Sequence, residues 1–144
     1  MRIKIGLGSC GIAAGARKVE EAIQQALTEA KLDIKLERTG CIGMCFAEPL
    51  VEVIEDDGKN YFYGRMTPEK GAEVVKKHLA AGQVLQDDLI SEEERGFLAQ
   101  QHRIALRNCG VIDPEQIEDY IAAGGYQGLT RAIKELDADG IISV

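Results

Sequence analysis

The sequence predicts an α/β fold in which a small sandwich is followed by a short helical segment. Three observations predict it. Residues 2–8 alternate between polar and apolar types, as strand residues do. Val19, Ile23 and Leu27 then recur every four positions, as on the buried face of an amphipathic helix. Two further apolar runs flank Asp56-Asp57-Gly58, a composition that favours a β-hairpin turn.

The remaining elements follow in chain order. Residues 34–37 are predicted to form a second strand, and a loop rich in glycine and cysteine follows it. Residues 50–54 and 61–63 form the two strands of the hairpin. Thr67-Pro68-Glu69 supplies an N-cap, a proline at the first helical position and an early acidic residue, so a helix is predicted to end near Ala81. The order β-α-β-β-β-α over residues 1–82 is typical of a thioredoxin-like sandwich.

The rest of the chain divides into two parts. Residues 83–103 carry several acidic side chains and are predicted to form a linker or a solvated surface segment. Residues 104–144 contain two helical patterns, the first beginning at Asp113-Pro114-Glu115. The chain stops on apolar residues, so we expect the natural polypeptide to continue beyond Val144.

Composition excludes several classes of protein. The 144 residues are 45% hydrophobic and carry a formal net charge of −7, which disfavours binding to nucleic acid because phosphate contacts need a basic surface. The sequence shows neither a signal peptide nor an apolar run of about 20 residues, so we expect a cytoplasmic protein without direct membrane insertion. Its four cysteines are therefore better interpreted as metal ligands or reactive thiols than as disulfides.

Three cysteines form a candidate metal site. Cys41 and Cys45 lie in a loop with Gly40 and Gly43, and Cys10 lies between the first strand and the first helix. Thiolates from these two loops could converge on an iron centre, which takes four ligands. The position of Cys10 before a helix also predicts a lowered thiol pKa. The structural alternative is that all three are small buried side chains.

The other candidate residues are interpreted as structural. Cys109 lies far along the chain in a different segment and is a poor candidate for a fourth ligand. His78 and His102 have no ligand partner nearby in sequence and are predicted to lie on the surface. The pattern Gly6-x-Gly8-x-x-Gly11 resembles a dinucleotide-binding fingerprint, but the elements that follow do not continue a parallel sheet. A tight turn with close helix–strand packing is the preferred interpretation.

These residues resemble a known family, the NADH-oxidising, FMN-bearing subunit of NAD(P)-linked hydrogenases, formate dehydrogenases and respiratory complex I. Hydrogenase-type members begin with a thioredoxin-like [2Fe–2S] domain. Residues 8–16 resemble its first cluster loop, and residues 39–51 resemble its second. Residues 106–126 resemble the segment that leads into the flavin domain.

The resemblance implies a function and a ligand set. It implies an electron-transfer or subunit-docking domain with a [2Fe–2S] cluster held by Cys10, Cys41 and Cys45. The family places another cysteine five residues before the one that matches Cys10, and here that position is Ile5. FMN and NAD would bind only in the missing downstream domain, so the isolated chain is not expected to catalyse NADH oxidation.

The resemblance also implies partners, and two other functions remain open. The expected partners are the other subunits of an NADH-dependent oxidoreductase, and a homodimer is a second arrangement. One alternative is a metal-free, degenerate interaction module. Another is a thiol redox protein that uses Cys10, with Cys41 or Cys45 as the resolving thiol.

Overall fold

A four-stranded sheet forms the centre of the N-terminal part of the protein. The computed structural model describes residues 1–143. The strands are β1 (Arg2–Gly6), β2 (Leu36–Thr39), β3 (Val51–Ile54) and β4 (Asn60–Tyr63), in the spatial order β2-β1-β3-β4. Strand β1 pairs with β2 in parallel and with β3 antiparallel, and β3 pairs with β4 antiparallel. The predicted hairpin is thus confirmed, whereas β1 ends two residues earlier than predicted.

Two helices follow the first strand, where the sequence predicts one continuous pattern. Helix α1 spans Ser9–Ala13 and α2 spans Ala16–Glu29. Gly15 separates them with a φ of +100°, a conformation that glycine adopts without steric cost. The predicted apolar face of α2 is confirmed, because Val19, Ile23 and Leu27 are all buried against the sheet.

Helix α3 completes the layer that covers this face of the sheet. It spans Pro68–Glu73 and continues as a wider, π-helical segment, Val74–Leu79. The Thr67 hydroxyl accepts a hydrogen bond from the Lys70 N–H at 3.3 Å, so the predicted N-cap is confirmed. The prediction of a surface position for His78 is wrong: this side chain is fully buried. The residues next to His78 in the sequence do not indicate its polar partners, because those partners lie on other elements of the fold.

The segment predicted as an acidic linker contains a helix. Helix α4 spans Glu92–Ala99 and begins with a capping box formed by Ser91 and Glu94. Ile90 is buried beside Met44, and Leu98 packs against the same small cluster. Residues 90–98 therefore cover the second face of the sheet, and their acidic side chains lie on the solvent side of a packed element.

The C-terminal part is helical, as predicted, but its elements are short. They are α5 (Ile117–Ala122), α6 (Gln127–Glu135) and α7 (Ala138–Ile142); Val144, the end of the predicted segment, lies outside the described residues. The first begins later than predicted, because the carboxylate of Asp113 instead accepts the Glu115 N–H in a turn. The Lys4 ammonium reaches the carbonyl oxygens of Gly110 and Val111 at 3.4 and 3.3 Å, which joins this part to β1. No described helix has the length and apolar character needed to cross a bilayer.

Candidate metal centre

Three cysteine thiols meet at the end of the parallel strand pair. Cys10 lies in the first turn of α1, Cys41 follows β2, and Cys45 begins a short 3₁₀ turn, Cys45–Ala47. Parallel strands end at the same edge of a sheet, so the loops after β1 and β2 are neighbours. The three Sγ atoms all lie within 4.8 Å of one another, and those of Cys41 and Cys45 are 3.6 Å apart. Within residues 1–143, this is the one such cluster of potential metal ligands.

The glycines of the first loop allow this convergence. A methyl group at Gly8 would lie 2.9 Å from both the Cβ and the backbone N of Cys41. Such distances are below normal contact, so only glycine lets the two cysteine loops approach this closely. A methyl group at Gly11 would likewise meet the Gly6 carbonyl oxygen at 2.5 Å. The preferred interpretation of the glycine pattern, close packing of helix on strand, is confirmed.

The Cys10 thiol has a raised pKa. Burial raises the pKa of Cys10 to about 12, and its hydrogen bonds with Cys41 and Cys45 act in the same direction. The prediction that the helix N-terminus lowers this pKa is wrong, since α1 has only five residues and removal from solvent dominates. A neutral thiol is a weak nucleophile, which disfavours the thiol redox alternative.

A buried carboxylate lies against the same thiol. Glu48 is 8% exposed, and its Oε1 atom is 3.7 Å from the Sγ atom of Cys10. Its Oε2 atom accepts a hydrogen bond from the Leu50 N–H at 2.9 Å. Burial raises the pKa of Glu48. Glu48 was not among the predicted site residues; the available signal was a single acidic residue inside the apolar run of residues 46–51.

The remaining predicted positions lie apart from the three thiols. Ile5 is completely buried in the main core, and its hydrocarbon side chain offers no ligand atom. Cys109 lines a separate cavity of about 580 Å³ on the second face of the sheet. His102 is exposed. Thr39, two residues before Cys41, has a buried hydroxyl without a hydrogen-bond partner among the described residues.

The three thiols match the type of ligand that an iron–sulfur cluster requires. Thiolates are the protein ligands that such clusters use, and three thiols already lie close enough to share one small inorganic group. In the first loop, Gly8 and Gly11 leave no room for larger side chains. The site thus fits the thiolate part of a [2Fe–2S] ligand set.

Comparison with known sequences gives the class of protein. The model of the thioredoxin-like [2Fe-2S] ferredoxin family matches residues 1–79, which is more than half of the chain. The chain belongs to this family, as the cysteine loops and the α/β sandwich indicated.

Individual relatives show more specific similarities to this chain. NADP-reducing hydrogenase subunit HndC of Solidesulfovibrio fructosivorans is 56% identical over 39 residues, which are 27% of this chain and 8% of HndC. Subunit HndB of the same organism is 26% identical over 97 residues, 67% of this chain and 77% of HndB. A 2Fe-2S ferredoxin of Aquifex aeolicus (strain VF5) is 33% identical over 88 residues, 59% of this chain and 76% of the ferredoxin. The chain thus spans most of HndB and of the ferredoxin but less than a tenth of HndC.

Solved structures confirm the thioredoxin-like fold. The wild-type thioredoxin-like [2Fe-2S] ferredoxin from Aquifex aeolicus, a crystal structure at 1.5 Å resolution, superimposes with a TM-score of 0.53. The match has 23% sequence identity and covers 63% of this chain and 96% of the ferredoxin. A second structure of that ferredoxin gives a TM-score of 0.54 at 24% identity.

Proposed function

We propose that Cys10, Cys41 and Cys45 are ligands of a [2Fe–2S] cluster, and that the protein transfers single electrons within a larger oxidoreductase. The observation that carries this proposal is the convergence of three thiols from two loops at one edge of the sheet. Membership of a [2Fe-2S] ferredoxin family supports the same conclusion. When bound, the cluster supplies a one-electron redox centre.

The protein provides one polar contact that would adjust such a centre. The backbone N–H of Gly43 donates a hydrogen bond to the Sγ atom of Cys41 at 3.3 Å. A donor at a ligand sulfur withdraws electron density from it and makes reduction of the metal group easier. The backbone of the second loop therefore both positions Cys41 and favours the reduced state.

One edge of the site is open to a partner. Cys45 is the exposed member of the three thiols, and the neighbouring Phe46 is 60% exposed. Ile12, next to the Cys10 loop, also reaches solvent. Exposed apolar side chains beside a redox group favour close approach of a second protein, since apolar contact excludes water from the space between them.

We infer that this second protein is another subunit of an NAD(P)-linked oxidoreductase. HndB and HndC are, by name, subunits of an NADP-reducing hydrogenase. In this proposal residues 1–82 carry the redox site, residues 83–103 connect it, and residues 104–144 lead towards a flavin domain. Self-association is the alternative arrangement, and light scattering of the purified chain at increasing concentration distinguishes the two.

Metal analysis of anaerobically purified protein tests the proposal. We expect two irons and two sulfides per chain, with visible absorption that bleaches on addition of dithionite. Cys41→Ser should lose most of the iron, whereas Cys109→Ser should retain it because Cys109 lies outside the site. Protein that stays colourless after reconstitution with iron and sulfide would overturn the proposal.

A second candidate function is a metal-free interaction module. The observation that favours it is Ile5, a core residue at the position where the resemblance places a ligand. This alternative predicts that a partner subunit binds equally well to the wild type and to a Cys41→Ser variant. Loss of partner binding together with loss of iron would rule it out.

A further inference from the structure

The geometry points to Glu48 as the fourth ligand of this site, through a carboxylate oxygen that completes the set of three thiolates. This inference rests on the proposed [2Fe–2S] function and adds a residue to it. The three cysteines leave one coordination position unfilled, and Ile5 cannot fill it. Glu48 is the polar side chain that lies against Cys10.

Two of the distances in the site can be compared with those between ligands of one metal ion. The Sγ atoms of Cys41 and Cys45 are 3.6 Å apart, and Cys10 Sγ is 3.7 Å from Glu48 Oε1. A tetrahedral metal with bonds of about 2.3 Å to sulfur and about 2.0–2.2 Å to oxygen separates two ligands by roughly 3.5–3.8 Å. Both distances are thus those expected between two ligands of one metal ion.

The first loop has space for this carboxylate and for little else. A methyl group at Gly6 would lie 3.2 Å from Glu48 Oε2, and one at Gly11 would lie 3.0 Å from the same atom. Both distances are tighter than ordinary van der Waals contact. Gly6 and Gly11 therefore form a cradle in which Glu48 can sit beside Cys10, while Gly8 admits Cys41.

The charge of Glu48 is not balanced by a cation. Its polar partners in the described part of the chain are the Leu50 N–H and the Cys10 thiol, and it takes part in none of the ion pairs there. Buried carboxylates are normally paired with a cation or coordinate a metal. Iron bound beside Cys10 would supply the missing positive charge.

A carboxylate is chemically suited to one position of such a site. It carries the same single negative charge as a thiolate, so the total charge of the ligand set would equal that of four cysteines. Binding releases the protons of the three thiols and of any protonated carboxyl group. Two-iron clusters also accept ligands other than thiolate on one iron, as histidine does in Rieske centres.

Reconstitution of the full chain with iron and sulfide tests the inference. The variants are Glu48→Gln, which keeps the shape but removes the anionic ligand, and Glu48→Cys, which supplies a fourth thiolate. We expect Glu48→Gln to fall from two irons per chain to fewer than one. We expect Glu48→Cys to keep two irons and to shift the electron paramagnetic resonance spectrum of the reduced protein. Glu52→Gln is the matched control, because this partly buried glutamate of β3 has no hydrogen bond with Cys10, Cys41 or Cys45.

The outcomes separate the two proposals. Wild-type protein without iron overturns both. Wild-type protein with a cluster, together with Glu48→Gln that has the same iron content and the same spectrum, overturns only the role of Glu48. Should Glu48→Gln fail to fold, Mössbauer spectroscopy of the oxidised wild type decides whether Glu48 is a ligand. One iron with two sulfur ligands from the protein and one with a sulfur and an oxygen give two unequal doublets, whereas two equal irons would contradict the inference.

Discussion

The Nδ1 atom of His78 lies 2.7 Å from the hydroxyl oxygen of Tyr63, and both side chains are fully buried. On its other side, His78 Nε2 is 3.1 Å from a carboxylate oxygen of Glu55. The three residues connect β4, the helix above it and the hairpin turn. This polar chain crosses the core on the helical side of the sheet, and it fixes how helix α3 and its extension sit on β4.

Removal of the Tyr63 hydroxyl should destabilise the fold. In Tyr63→Phe the buried His78 nitrogen loses its partner, which costs about 1–3 kcal/mol of unfolding free energy. Urea denaturation followed by circular dichroism measures the change. Tyr61→Phe is the control, since the Tyr61 ring packs edge-on against His78 at 4.8 Å and keeps this contact without its hydroxyl. Equal stability of the two variants would show that the Tyr63–His78 hydrogen bond contributes nothing.

The same tyrosine should make the protein sensitive to alkali. Burial raises the pKa of Tyr63 to about 12 from 10.0. The unfolded chain therefore loses this proton first, so the contribution to stability is complete below pH 10 and is lost as the pH rises towards 12. The free energy of unfolding should fall by up to about 1.4 kcal/mol per pH unit in this range. The free energy of unfolding, measured by urea titration at several pH values in this range, should fall more steeply with pH for the wild type than for Tyr63→Phe. An equal pH dependence of the two proteins would contradict the raised pKa of Tyr63.

Gly8→Ala should weaken metal binding and leave the fold intact. The added methyl group would force the Cys41 loop away from Cys10, because it meets the Cβ and the backbone N of Cys41 at 2.9 Å. We expect a folded protein that retains less than half of the wild-type iron after reconstitution. Gly40→Ala is the control, as a methyl group there meets nothing within 4 Å. Full iron in both variants would show that the loops tolerate a wider separation.

Alkylation of the reduced, metal-free protein should distinguish its thiols. A group with a pKa of about 12 is ionised to roughly one part in ten thousand at pH 8, so Cys10 should react slowly with iodoacetamide. The exposed Cys45 should react first. Peptide mapping by mass spectrometry gives the order. Fast modification of Cys10 would instead restore the thiol redox hypothesis.

Gly110→Ala should release the C-terminal part from the sheet. Gly110 has a φ of +83°, and a methyl group there would collide with the Ile42 side chain. Each 1.4 kcal/mol lost from docking should raise local opening, and with it tryptic cleavage near Arg103 and Arg107, about tenfold. Gly82→Ala shares the positive φ but has open space around it, so it isolates the backbone cost. Equal cleavage of the two variants would show that this contact does not hold the segment.

Local sequence patterns predicted the elements whose own residues carry the signal. The repeat of Val19, Ile23 and Leu27 and the cap at Thr67 were sufficient for α2 and α3. Helix α4 was missed because its three consecutive glutamates suggested a solvated segment, although Ser91 and Glu94 have the spacing of a capping box. The acidic composition of this segment was given more weight than its capping-box spacing.

Long-range contacts were beyond the reach of such patterns. The spacing of Cys41 and Cys45 predicted that they share a loop, and Cys10 became their candidate partner through its position between the first strand and the first helix and through the family resemblance. Glu48 contacts Cys10 across 38 positions of sequence. That contact depends on how the loop before β3 folds back over the end of β1. Burial, which sets the pKa of Cys10, depends on the same packing.

Among residues 1–143, strand β2 pairs only with β1 and so lies at an edge of the sheet. Unpaired edges recruit strands from other molecules, so a protein must restrain them to avoid aggregation. A cluster held by both Cys10 and Cys41 would tie the loop that follows β2 to the loop that follows β1, and so restrain this edge from its end. Loss of the metal would then remove this restraint as well as the redox activity. It would loosen the edge, and the metal-free protein should be the form that aggregates in storage.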